Sequence, residues 1–185
     1  KKYFQNTDRP VVVINVGGFN KAGFFPKAQR PEMYRKVADG LNQIDCDGVE
    51  LIIQTMPPFP WHFGGQSYHN LFINPDEIVE FCTETGYRIC LDISHSQMAC
   101  SYNSWSLDEF VRKVGEYTAH LHVVDALGVD GEGIQIGQGD VDFAQLGKTL
   151  DSLIPSVPYI AEIWQGHKQH GAGFWIALEF LENYL

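Results

Sequence analysis

Carboxylate and imidazole side chains, the groups that move protons and hold cations, recur in this chain at the ends of apolar runs. The run Arg88-Ile89-Cys90-Leu91 breaks off into Asp92 and, three positions on, His95. A second run, Tyr117 to Val124, carries His120 and His122 and ends on Asp125, and a third, Tyr159 to Trp164, contains Glu162. Two earlier runs, Pro10 to Gly18 and Gly48 to Thr55, carry the polar amides Asn15 and Gln54 near their ends. A charged pair leaving a buried strand is costly without partners, so Asp92 and His95 mark a site. The alternative is that Asp92 caps a strand end and His95 is a solvated loop residue. Repetition of the same polar ending in the other runs favours the site.

The elements that must position these groups follow one alternation. The five apolar runs have the β-branched, nearly continuous character of strands buried on both faces. Between them the spacing predicts helices, one opened by Pro31 and running through Met33, Tyr34, Val37 and Leu41. Others start at Asn74-Pro75-Asp76-Glu77, at Ser106-Leu107-Asp108-Glu109 and at Asp142 with Gln145, each a capping pattern. A last helix runs through Phe174, Ile176, Leu178 and Leu181. Strand followed by helix, five times over, predicts a parallel sheet covered by helices. In such folds the C-terminal rim of the strands carries the site, and in a barrel the rims converge. A doubly wound sheet would instead spread the polar residues along a line. The long stretch from Met56 to Ile73, rich in Pro, aromatic residues and His, is expected to be a functional loop.

At 185 residues, 44% of them hydrophobic, the chain has material for one domain with a real core. A net charge of -10 repels phosphate backbones and argues against a nucleic-acid partner. No apolar run is long enough to cross a membrane. The four cysteines have no C-x-x-C spacing and are expected as reduced thiols of a cytoplasmic protein. The opening Lys1-Lys2, without an initiator Met or a signal-peptide pattern, suggests a processed product or an excised piece.

The ordered set Asp92-x-x-His95, His122-x-x-Asp125, Gly137-x-Gly139 ahead of a helix, and Glu162 resembles the C-terminal part of the xylose-isomerase-like superfamily, over essentially the whole chain. Its members are (β/α)8 barrels and include sugar isomerases and epimerases, inosose and dehydroshikimate dehydratases, and metal-dependent apurinic endonucleases. The resemblance implies a TIM barrel, here a partial barrel of about five βα units, where the whole fold takes about 250 residues. Such a piece exposes two sheet edges and a barrel interior, so a missing N-terminal barrel segment or a second chain is expected to cover the open edge.

The resemblance also implies one divalent metal ion, Mn2+, Mg2+, Co2+ or Zn2+, on Asp92, His122 and Glu162, with Gln54 where the family has Glu. Gln offers a metal a neutral carbonyl oxygen but cannot accept a proton, so a mechanism that needs two carboxylates loses one. Glu162 is then the expected base, removing a proton next to a carbonyl, and His95 the group that holds or polarises a substrate oxygen. Asn15, Trp61, His62, Asp125 and His167 are the expected substrate contacts, Asp125 with the alternative of orienting a ligand, and Phe63 is a candidate wall for a sugar ring. His69 and His170 lie on the same loops, and His120 is expected as a hydrogen-bonded core residue. The endonuclease's further ligands fall on Asn15, Gly131 and Gly133, which cannot replace His or Asp. The expected function is that of a sugar or sugar-phosphate isomerase or epimerase. A keto-polyol dehydratase and a sugar-binding barrel without turnover are the rivals.

Overall fold

The structure, a computed structural model, describes residues 9–62 and 65–185, the side chain of His62 excepted. Phe63 and the His62 side chain therefore lie outside the described residues. Five strands, β1 (Val11–Ile14), β2 (Glu50–Gln54), β3 (Arg88–Asp92), β4 (Thr118–Val123) and β5 (Tyr159–Ala161), make one sheet in sequence order. All four pairings are parallel. The sheet curls into a half-barrel, the partial TIM barrel expected. β1 and β5 are its edges and each pairs on one side only among the described residues. No helix among those residues is long and apolar enough to cross a membrane.

Helices α1 (Arg30–Leu41) and α2 (Pro75–Thr85) follow β1 and β2. α3 (Ile93–Asn103) and α4 (Leu107–Val114) follow β3, α5 (Phe143–Leu153) follows β4, and α6 (Lys168–Leu181) follows β5. The caps act as their residue types predict. Asn74 Oδ1 accepts from the amides of Asp76 and Glu77, Ser106 Oγ from Glu109, and Asp142 Oδ1 from Gln145. Ile53, Ile89, Leu91, Leu121 and Val123 face these helices and build the main core with residues such as Phe81, Phe110 and Leu146. Ile52 and Cys90 point the other way and form a small apolar cluster with Ala119, against which Val11 and Val13 pack. They stand two residues before Gln54 and Asp92 and so share their face.

The structure departs from the sequence expectation in three places. α3 begins directly after Asp92, where no helix is predicted, because Ile93, Ser94, His95, Ser96, Met98, Ala99 and Cys100 are all buried and leave no polar face to mark a 3.6-residue period. β5 stops at Ala161 instead of running on to Trp164. The stretch from Met56 to Ile73 contains short strands: Trp61–His62 pairs with Gly65–Gln66, and Tyr68–His69 with Phe19–Asn20.

Candidate metal and acid–base site

Register brings the polar strand ends together. Asp92 on β3 lies opposite His122 on β4, and Ile160 on β5 lies opposite the same His122, so that Glu162 follows at the rim. Asp92 is 1% exposed and is held from all sides. Its backbone N–H donates to Thr55 Oγ1 (2.9 Å), its Oδ1 accepts from the His95 amide (2.9 Å) as the cap of α3, and its Oδ2 accepts from Gln54 Nε2 (2.6 Å). His95 Nδ1 lies 2.7 Å from the Thr55 carbonyl and 3.4 Å from Asp92 Oδ2. Its Nε2 lies 3.0 Å from Glu132 Oε1.

The ligand atoms of Asp92, His122 and Glu162 all lie within 4.8 Å of one another. His122 Nδ1 is 2.8 Å from Glu162 Oε2, 3.7 Å from Asp92 Oδ2 and 3.0 Å from Gln54 Nε2. One ring nitrogen cannot both donate to a carboxylate and accept from an amide. A divalent cation among these groups satisfies all of them at once, with the Gln54 amide turned to present its carbonyl oxygen, and the set of two carboxylates, one imidazole and one amide oxygen suits such an ion. The residues present therefore fit the metal.

The protonation states follow from the same contacts. Burial disfavours a charge on His95, but Asp92 and Glu132 outweigh it and raise its pKa to about 9. Burial also opposes charge on His122, and its contacts with Asp92, Cys90 and Glu162 lift it to about 12 in the metal-free protein. Burial works against ionised Asp92 as well, yet His95 and His122 hold it below its ordinary value. His120 goes the other way: burial, then the neighbouring His122, lowers its pKa. Beside the cluster opens a cavity of about 220 Å³ whose walls include Asp92, Ser94, Glu132, Glu162 and Trp164. Three larger cavities, of about 550 Å³ between α1 and α2, about 330 Å³ beside α5 and the C-terminal residues, and about 290 Å³ beside Phe24 and Tyr102, gather no such set of ligands among the described residues.

Other expected site residues lie outside this ligand cluster. Asp125, expected to orient a ligand or touch substrate, is 0% exposed and turns both oxygens to the amides of Ala126, Gly137, Gly139 and Val141. It ties down the loop after β4. The Gly137-x-Gly139 spacing belongs to that clamp, since a Cβ at Gly139 would overlap the Asp125 carboxylate and the Ala126 carbonyl. Asn15, Trp61 and His167 are exposed. His69 is buried, with its ring nitrogens 2.9 Å from the Leu71 carbonyl and 3.3 Å from that of Val16, and so braces the loops after β1 and β2. Thr55, Ser94 and Glu132 were missed by sequence reasoning. Thr55, directly after Gln54 at a strand end, carried a usable signal, whereas Glu132 comes close only through the folding of its hairpin.

Residues 5–184 match the family described as the xylose isomerase-like TIM barrel. The chain belongs to that family. Within the xylose isomerase-like barrels, the chain is similar to the crystal structure of a D-tagatose 3-epimerase-like protein, with a TM-score of 0.66 and 20% identity over 95% of this chain and 61% of the other. It is also similar to the probable 3-DHS dehydratase AsbF from Bacillus anthracis, with a TM-score of 0.65 and 13% identity over 94% of this chain and 64% of that one. An uncharacterized protein of Methanocaldococcus jannaschii is 31% identical over 120 residues, which are 64% of this chain and 41% of the relative. The chain thus spans 61% of the epimerase-like structure and 41% of the archaeal relative.

Proposed function

We propose that this chain carries the metal-dependent site of an enzyme that moves a proton on a carbon next to a carbonyl, in a small sugar or polyol. The observation that carries this is the meeting of Asp92, His122 and Glu162, from three strand ends, within 4.8 Å. These three, with the carbonyl oxygen of Gln54, would hold one divalent ion. When bound, the ion supplies positive charge that stabilises negative charge developing on a substrate oxygen. Glu162 stands half-exposed at the mouth of the cavity, where it can take a proton from substrate carbon. His95, with Nδ1 toward the Thr55 carbonyl, points Nε2 toward Glu132, which lines the cavity.

Gln54 refines the reaction class. Its amide cannot exchange a proton, so a mechanism built on a carboxylate at that position and another at Glu162 is not available. Isomerisation needs one carbon base, as does a dehydration of the kind that gives AsbF its name, and both are favoured over epimerisation by that pair. The unpaired edges of β1 and β5 are, in this proposal, covered in the working protein by further barrel strands or by a second chain. Titration calorimetry with Mn2+ tests the site: one ion per chain is expected, with affinity falling at least tenfold in Glu162→Gln while its circular dichroism stays that of the wild type. Absence of binding at saturating Mn2+ would leave a sugar-binding barrel without metal chemistry.

A further inference from the structure

Gln54 leaves the site one carboxylate short, and the structure holds another nearby. Glu132 sits on the hairpin formed by Asp125–Leu127 and Gly131–Ile134 and lines the same 220 Å³ cavity as Glu162. Its Oε1 is 3.0 Å from His95 Nε2, while its side chain stays 37% exposed and Oε2 has no hydrogen-bond partner among the described residues. The hairpin is fastened at both ends. Asp125 clamps the amides of Gly137 and Gly139, and the Gly133 carbonyl accepts from the Trp164 amide (3.0 Å), two residues beyond Glu162. Gly133 has φ +72, and a Cβ there would come within 2.8 Å of the Trp164 Cβ, so only glycine permits this junction. Glu132 and Glu162 are thereby held in a fixed relation.

A second, independent feature marks the cavity as a ligand site. Ser94 is 0% exposed, its hydroxyl has no hydrogen-bond partner among the described residues, and it forms part of the same wall. A buried hydroxyl without a partner carries a desolvation penalty that is relieved when a polar ligand atom reaches it.

We propose that Glu132 is the second acid–base group of the site, touching a substrate hydroxyl and exchanging its proton with His95 Nε2, in place of the carboxylate that Gln54 lacks. The proposal rests on the function proposed above. The steps balance. Glu162 takes the carbon-bound proton, the C–H pair becomes a C=C bond, and the carbonyl pair moves onto oxygen, which receives the His95 Nε2 proton by way of the Glu132 carboxylate. Glu132 then takes the proton of the adjacent hydroxyl and passes it to Nε2. A carbonyl forms at that carbon while the neighbouring carbon recovers a proton from Glu162. The fitting substrate is a small compound with a carbonyl beside a hydroxyl-bearing carbon.

The test follows D-fructose and D-tagatose in D2O by proton NMR, with Mn2+-loaded wild type, Glu132→Gln, Glu132→Asp and Glu162→Gln. Wild type should form isomer and exchange the carbon-bound hydrogen, and Glu162→Gln should lose both. In Glu132→Gln, product formation should fall about 100-fold or more, the scale of a lost acid–base group. Carbon exchange should fall less than tenfold and Mn2+ affinity stay within twofold, and Glu132→Asp should recover part of the product rate. Product formation in Glu132→Gln that stays above this hundredfold loss overturns the proposal. So does an equal fall in product, exchange and Mn2+ affinity, which would make Glu132 a strut of the hairpin. A wild type that exchanges no hydrogen in either sugar overturns the function proposed above and this inference with it.

Discussion

Asp92 and Glu162 belong to one cluster, yet the Asp92 side chain is 2% exposed and that of Glu162 51%. Asp92 ends a strand with neighbours on both sides, while Glu162 follows β5, which among the described residues has a neighbour on one side only. The buried member caps α3, accepts from Gln54 and lies against two imidazoles. The exposed member contacts His122 and otherwise faces the cavity. The interior half of the site is thus part of the scaffold, whereas at the edge the backbone is fixed through the Gly133–Trp164 junction and the Glu162 side chain is held by little besides His122. Buried apolar neighbours and a complete hydrogen-bond set fix the first, and the second keeps half of its side chain open.

This contrast can be broken in order of expected effect. Asp92→Ala removes a buried carboxylate and leaves His95, His122 and Gln54 without their shared partner, so urea unfolding of the metal-free protein should show a loss of roughly 3–5 kcal/mol. Next comes pH. His95 titrates near 6.5 when unfolded and at about 9 when folded, so its contribution is fully present below pH 6.5 and disappears as pH rises through 9. Unfolding midpoints of the metal-free protein should therefore fall between pH 6.5 and 9, with His95 contributing on the order of 2–3 kcal/mol and His122, raised in the same direction, adding to the fall; a flat profile would contradict the charged imidazoles. Thr55→Val takes the hydroxyl from the Asp92 amide and should cost about 1–3 kcal/mol in the same assay. Glu162→Gln, at the exposed edge, should change stability by no more than about 0.5 kcal/mol. A loss as large as that of Asp92→Ala would show that edge and interior are one unit.

Much of the scaffold was legible in the sequence because its signals are local. Asn74, Ser106 and Asp142 announce helix starts through side chains that reach amides two or three residues away. The apolar runs announce buried strands, and their polar last residues mark the rim. What stayed hidden depends on contacts distant in sequence or on roles that overlap. α3 shows no period because both its faces are buried. Asp92 caps a helix and joins the ligand cluster, so the two alternatives posed for it describe one residue. Asp125 and Glu132 sit seven residues apart on one hairpin, and only its path sends the first to loop amides and the second to His95.

Anomalous diffraction from crystals grown with Mn2+ would locate the ion itself. The predicted result is a single strong anomalous peak within coordination distance of the Asp92 and Glu162 carboxylates and the His122 imidazole, with the Gln54 amide turned to face it. A map at saturating Mn2+ with no peak at that position, or with the ion bound elsewhere while Gln54 still bridges Asp92 and His122, would contradict it.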